Sequence, residues 1–237
     1  LPSSRAERLA DLRQIEPPLA SPAVTILPGP DEDPALDATP MVHPEEHVVG
    51  VAGEAPGLLD RFAAVRRFDE AVDDAFDVLR GNPVTDRAFY GITELGDFGL
   101  IWALLGGARA LVGDEADERD LVRLLVALGA ESVLVNGVIK SLFRRERPVI
   151  QEPRPHRIRI PLTTSFPSGH ASTAMLAASL LSDGRAGGRG WYALGVWVAS
   201  SRVYVRIHHA SDVVAGLGLG LALGATARRI WPSARRR

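Results

Sequence analysis

The 237 residues contain no cysteine, which excludes disulfide staples, thiolate metal sites and a cysteine nucleophile while leaving the redox compartment open. A charge surplus is also missing. The net charge is −2, so no global basic field argues for a nucleic-acid partner. Strand signals are sparse, which leaves an all-α chain. The first residues are polar and proline-studded, without the apolar h-region of a secretory signal, and the sequence opens on Leu1 rather than methionine. No apolar stretch is free of charges. Arginine, by contrast, greatly outnumbers lysine and clusters late in the chain.

Residues 1–57 hold most of the prolines among acidic residues and alanines, with no sustained periodicity, and read as a mostly disordered N-terminal tail. Residues 58–230 form the helical domain, and 231–237 a basic C-terminal tail. From Leu58 to Arg80, apolar residues recur at three- and four-residue steps through Leu58, Phe62, Val65, Phe68 or Ala71, Val72, Ala75, Phe76 and Leu79. This amphipathic helix is too charged to span a bilayer and should lie along a membrane surface or cover other helices.

Five apolar stretches come next: Phe89–Val112, Leu121–Phe143, Ser168–Ser182, Trp191–Ile207 and Ala210–Ala227. Each is near the roughly 20 residues of a spanning helix, though the third is short. Glu94, Asp97, Arg109, Arg123, Glu131, Arg202 and Arg206 interrupt them, and charges within a membrane usually face a bundle interior, a cavity or an interface. A soluble helical protein with apolar core helices competes with this reading. The length and close spacing of the stretches favour a membrane-embedded bundle, as do Gly216, Gly220 and Gly224 at four-residue steps, which permit close helix packing in lipid.

If the second to fifth stretches are successive spans, alternation of direction brings three polar clusters to one membrane face. They are "KSLFRRERP" (Lys140–Pro148), "PSGH" (Pro167–His170) and "SRVYVRIHHASD" (Ser201–Asp212). Alone, the first resembles an interfacial anchor, the second a helix start with an incidental histidine, and the third a structural His–Asp hydrogen bond. Together they suit a phosphate. Lys140, Arg147 and Arg202 supply cations, and guanidinium forks match phosphoryl oxygens. Ser168 and the Gly169 amide add donors at a helix N-terminus, where an anion is favoured. One histidine beside a carboxylate can be oriented as a nucleophile, and another can donate a proton.

The clusters resemble the three-part signature of the type 2 phosphatidic acid phosphatases, a superfamily that includes vanadium haloperoxidases and class A acid phosphatases. K-x6-R-P is Lys140 with Arg147-Pro148, P-S-G-H is Pro167–His170, and S-R-x5-H-x3-D is Ser201-Arg202 with His208 and Asp212. All match in order, and the resemblance covers about Phe89 to Ala227. It implies His208 as a nucleophile that forms a phosphohistidine, with Asp212 orienting its imidazole and His170 as general acid. Lys140, Arg147, Ser168, Gly169 and Arg202 would hold the phosphoryl oxygens; no metal or other cofactor is implied. His209, adjacent to His208, is expected only to flank the site.

The resemblance further implies a lipid phosphate substrate: phosphatidic acid, phosphatidylglycerol phosphate, or a polyprenyl phosphate or diphosphate. The protein would then be an integral protein of a bacterial plasma membrane. The arginines of the loop Val149–Ser165 are expected to meet anionic lipid head groups rather than a second phosphate. The arginines of the C-terminal tail favour a cytoplasmic location for the face opposite the site, which would place the site outside. Competing readings are a vanadate-dependent haloperoxidase, a soluble acid phosphatase, and a non-catalytic lipid-phosphate-binding protein. Nothing in the sequence gives an oligomeric state.

Overall fold

Every regular element among the described residues is helical. The structure is a computed structural model, and it describes residues 62–149, 155–161, 163–185 and 187–236. The expected disordered tail, 1–57, lies outside these residues. Seven α-helices are described, in chain order: α1 (Ala63–Asp77), α2 (Pro83–Leu95), α3 (Leu100–Val112), α4 (Glu115–Ser132), α5 (Gly169–Leu181), α6 (Arg189–Tyr204) and α7 (Ala210–Ile230).

Local chemistry sets the boundaries. Asn82 caps α2 by accepting from the Val84 amide at 2.9 Å, and Pro83 stands at the first helical position, where its missing N–H costs nothing. Asp114 and Asp117 close a reciprocal capping box on α4. The first apolar stretch is broken. At Asp97–Gly99 the chain passes through left-handed backbone at Phe98 (φ 55°) and Gly99 (φ 71°), and α2 meets the following helix at 62°. The second stretch starts earlier than expected, at Glu115, and past Ser132 it loosens into a π-helical segment (Val133–Ile139) and a 3₁₀ turn (Lys140–Leu142).

Helix α5 is the axis of the bundle. Ten of its thirteen residues are buried, and it packs against α4, α6 and α7. Small residues set these distances. A methyl group on Gly216 would stand 2.9 Å from Ala171 Cβ and against the Ser168 carbonyl; one on Gly220 would stand 2.9 Å from Met175 Cβ. The glycine stripe of α7 is therefore where α5 seats, and in lipid such van der Waals closeness drives helix association. Trp102, Leu124, Leu176 and Val198 join α3, α4, α5 and α6 in the largest apolar cluster.

Two helices, Glu115–Leu142 and Ala210–Ile230, are long and apolar enough to cross a membrane, and the bent pair Pro83–Leu95 with Asp97–Val112 makes a third if it is one span. Helix α5, about 20 Å long by its residue count, falls short because its neighbours enclose it and the chain leaves it at Ser182. Among the described residues the helices of that length number two, or three with the bent pair, beside the about five spans expected from the sequence.

The interrupting charges mostly turn inward. Arg109 donates to the Leu181 carbonyl at 3.0 Å, Arg123 pairs with Asp183 at 2.8 Å, and Glu131 accepts from Ser172 (2.7 Å) and Thr173 (2.9 Å). Glu94 is exposed. The basic end of the chain is docked: Arg235 reaches Asp117 at 2.6 Å, Arg236 reaches Asp183 at 2.6 Å, and Ser233 donates to Asp120 at 2.7 Å.

Helix α1 covers the bundle, and the face it buries includes Asp69 with Val72 and Phe76, which pack beside Ala199, Val203 and Val213. Phe62 and Phe68 point away, 54% and 45% exposed.

Candidate active site

The three polar clusters do converge. The "PSGH" turn is tied to the α7 N-terminus by the Ser168 amide, which donates to the Asp212 carbonyl at 3.0 Å. Lys140 meets the same turn: a Cβ built on Gly169 would lie 3.9 Å from its Nζ, and Nζ is 3.3 Å from Thr163 Oγ1. Loosening of α4 into π and 3₁₀ geometry brings Lys140 to this point, and such irregular turns are frequent at functional sites.

His208 is presented by a hook. After α6 ends, the amides of Ile207 and His208 both return to the Arg202 carbonyl at 3.1 Å, and Arg206 turns through φ 51°. The His208 imidazole is thus 2% exposed. Its Nε2 lies 3.3 Å from Arg147 Nη1, and its Nδ1 lies 3.6 Å from Asp212 Oδ2, within ion-pair reach and longer than a hydrogen bond. Arg147 also donates to the carbonyls of Ile207 and Thr163 at 3.0 Å. Arg202 donates to Thr93 Oγ1 at 2.6 Å. Burial holds His208 well below the usual histidine range. Asp212 opposes this, whereas Arg202 and Arg147 reinforce it.

His170 sits in the first turn of α5 with its Nε2 3.0 Å from Asp97 Oδ1. Ser168 occupies the N-cap position of α5, as its sequence context suggests, but its side chain caps nothing. Among the described residues its buried Oγ has no partner, nor does the buried Nε of Arg147. Buried donors without partners are rare and call for a ligand, water or ion. Here they stand with Lys140 and Arg202 at a helix N-terminus, where oxyanions are favoured.

Every residue expected from the sequence to act on or hold a phosphate therefore lies at this one end of the bundle. His209 is the N-cap residue of α7, its backbone amide donating to Asp212 Oδ2 at 2.9 Å. Of the loop arginines expected to meet head groups, Arg157 and Arg159 are exposed, Arg159 lying over the Phe98 ring at 4.5 Å, and Arg154 falls outside the described residues.

Sequence reasoning missed the partners. Arg145, inside the first motif, donates from Nη1 to Asp212 Oδ1 at 2.5 Å and from Nη2 to Asp69 Oδ2 at 2.7 Å. Ser165 Oγ donates to Asp212 Oδ2 at 2.5 Å. Asp97 counted only as an interrupting charge. One signal was available for Asp69: it lies four residues after Val65 and three before Val72, in register with the apolar stripe.

One end of the helical bundle gathers a lysine, two guanidinium groups, an uncapped helix start and two histidines, the donors that an oxyanion would need. The chain belongs to the PAP2 superfamily. That family's pattern matches residues 120–236. The decaprenylphosphoryl-5-phosphoribose phosphatase of Mycobacterium tuberculosis is 35% identical over 140 residues, covering 57% of this chain and 74% of that protein. Phosphatidylglycerophosphatase B of Bacillus subtilis is 28% identical over 172 residues, or 68% and 81% of the two chains. In three dimensions the transmembrane PAP2-type phosphatidylglycerolphosphate phosphatase of Bacillus subtilis aligns with a TM-score of 0.56 at 29% identity, covering 74% of this chain and 90% of that one. Aquifex aeolicus LpxE shares the fold, with a TM-score of 0.56 at 23% identity over 71% and 96%.

Proposed function

We propose that this protein is a phosphatase of membrane lipids that removes a phosphate through a phosphohistidine on His208, without a metal. The observation that carries the reading is the placement of His208 Nε2 beside Arg147, with Nδ1 turned to Asp212. Nε2 attacks phosphorus as the bond to the lipid oxygen breaks, and His170 gives its proton to the departing oxygen. Water, deprotonated by His170, then displaces the imidazole and releases phosphate. Asp212 fixes the tautomer and steadies the charged ring, as the carboxylate does in a serine protease triad. Lys140, Arg147, Arg202, Ser168 Oγ and the Gly169 amide hold the equatorial oxygens in a preorganised field, which acts strongly where water is excluded.

The substrate class is a phosphate ester or anhydride on a lipid. As their names state, the relatives act on a decaprenyl-linked phosphoribose and on phosphatidylglycerophosphate. A bundle in the membrane admits such amphiphiles from the side, tail in the bilayer and head group at the site. Polyprenyl diphosphates and phosphatidic acid belong to the same class. We place the protein in a bacterial plasma membrane with the site outside the cytoplasm, supported by the arginines at the α7 end of the bundle.

The test is phosphate release by detergent-solubilised full chain, without divalent metal, from phosphatidic acid, phosphatidylglycerol phosphate and undecaprenyl diphosphate. Release that disappears in His208→Ala is expected. Release that survives in His208→Ala would remove the phosphohistidine, and an inert wild type on all three lipids would remove the lipid phosphatase.

A further inference from the structure

Helix α1 precedes every motif of the site, yet its buried side grips the segment that carries His208. Asp69, Asp73 and Asp77 lie at four-residue steps on one face, and each engages the chain between α6 and the start of α7. Asp69 accepts from the Ser211 amide at 2.7 Å and the Ser211 hydroxyl at 2.8 Å. Asp73 and Asp77 hold Arg206 at 3.1 and 2.7 Å. From beyond the end of the same helix, Arg80 donates to the carbonyls of Val203 and Tyr204 at 3.0 and 2.9 Å.

One of these contacts reaches the site. Arg145 is 6% exposed. Its two Nη atoms bridge Asp69 and Asp212, and Nη1 also donates to Ser211 Oγ at 2.8 Å. Asp69, Arg145 and Ser211 close a ring of charge-assisted hydrogen bonds, the strong class of such bonds, and Asp212 is joined to it through Arg145. A guanidinium fork between two carboxylates fixes direction as well as charge. It leaves Asp212 Oδ2 to face the Nδ1 side of His208.

We propose that Asp69 and Arg145 are positioning residues for the reaction: α1 acts through them to hold Asp212, and thereby His208, in the attacking geometry. This rests on the assignment of His208 as nucleophile. A covering helix that merely shields the bundle would need only apolar residues such as Val72 and Phe76 on its inner face; α1 adds three carboxylates that all bind this one segment. Their side-chain hydrogen bonds run to Asp212, Ser211 and each other, so their loss should act on turnover rather than on substrate binding.

The test is steady-state kinetics of the full chain on phosphatidic acid in mixed micelles. It compares wild type with Asp69→Asn, Arg145→Lys, the double variant and Glu70→Gln, with thermal unfolding run beside it. Glu70 is exposed, about 100° round α1 from Asp69, and its variant should match wild type. Asp69→Asn and Arg145→Lys should each lower kcat by about ten- to a hundredfold, the range for a hydrogen bond to a charged group, with KM little changed. The double variant should lose no more than the worse single one, because both act through one ring. Unchanged kcat in Asp69→Asn, or losses that multiply in the double variant, would overturn the proposal. Should Asp69→Asn fail to fold, Ser211→Ala removes one strut of the ring alone, and an unchanged kcat there is equally fatal. An active wild type with unaffected variants defeats only this inference; a wild type inactive on this lipid and also on phosphatidylglycerol phosphate and undecaprenyl diphosphate defeats the phosphatase reading beneath it.

Discussion

Nε2 of His170 lies 3.0 Å from Oδ1 of Asp97, and the break between α2 and α3 is shaped around that contact. A methyl group on Gly96 would fall 2.9 Å from the imidazole Cδ2, so the ring packs where the backbone is barest. The left-handed turn at Phe98 and Gly99 then sends the chain away into α3. Each of the two site histidines thus has its own carboxylate, Asp212 for His208 and Asp97 for His170.

If His170 protonates the leaving oxygen, Asp97→Asn should weaken that step by removing the charge that supports the imidazolium. The expected outcome is a kcat on phosphatidic acid lower by about ten- to a hundredfold. On p-nitrophenyl phosphate, whose leaving group needs little help from an acid, the loss should shrink. An equal loss on both substrates would assign Asp97 to the architecture of the bend instead.

His208 must attack as the neutral imidazole. Because burial lowers its proton affinity and Arg202 adds to this against the pull of Asp212, the neutral form persists below the ordinary histidine value near 6.5. The acid limb of kcat/KM should therefore lie below about pH 6.5, and a second limb should appear at higher pH as the proton donor is lost, giving a bell. Asp212→Asn should lower kcat by roughly a thousandfold or more, as wrong-tautomer variants of triads do. A flat pH profile from 4 to 8 would count against these roles. Phosphoenzyme trapped by an alkaline detergent quench, which spares the acid-labile P–N bond, should vanish in His208→Ala and persist in His209→Ala.

The glycine stripe gives a stability prediction independent of catalysis. Gly220→Leu would press on Met175 and on the Ser172 carbonyl, whereas a side chain on Gly218 meets nothing within 4 Å. Overpacking costs about 1–3 kcal/mol, often more against backbone. Thermal unfolding in detergent should show a clear drop for Gly220→Leu and little change for Gly218→Leu. Equal midpoints for the two would mean that α5 does not seat on this stripe.

What the sequence disclosed divides along a physical line. The convergence of Lys140, Arg147, Ser168, Gly169, His170, Arg202, His208 and Asp212 into one candidate site was legible because short local turns with fixed internal spacing hold them. The glycine steps of α7 announced a close helix contact, and the structure supplies α5 as its partner. Pairings across long separations were not legible: Arg145 meets Asp69 from 76 residues away, and no local pattern encodes that. Six helical stretches were readable, but not the break at Asp97–Gly99 that splits the first apolar one into α2 and α3, and span length was not, because an enclosed helix such as α5 needs no lipid-facing run.

Lys140 is the one lysine in the 237 residues, so amine chemistry can read the site directly. Its ammonium group is buried at the "PSGH" turn, 4% exposed as a residue, and a bound oxyanion would sit between it and the guanidinium groups. An amine-selective reagent such as an N-hydroxysuccinimide ester should modify the chain terminus quickly and Lys140 slowly. Orthovanadate or phosphate should slow the second reaction further, in proportion to occupancy. Lys140→Arg should keep the charge yet lose most activity, since a compact ammonium and a planar fork do not fill one space alike. Peptide mapping separates the two amines. If millimolar oxyanion leaves the Lys140 labelling rate unchanged while it inhibits turnover, the lysine stands outside the phosphate pocket, and the cationic cradle would then rest on Arg147 and Arg202 alone.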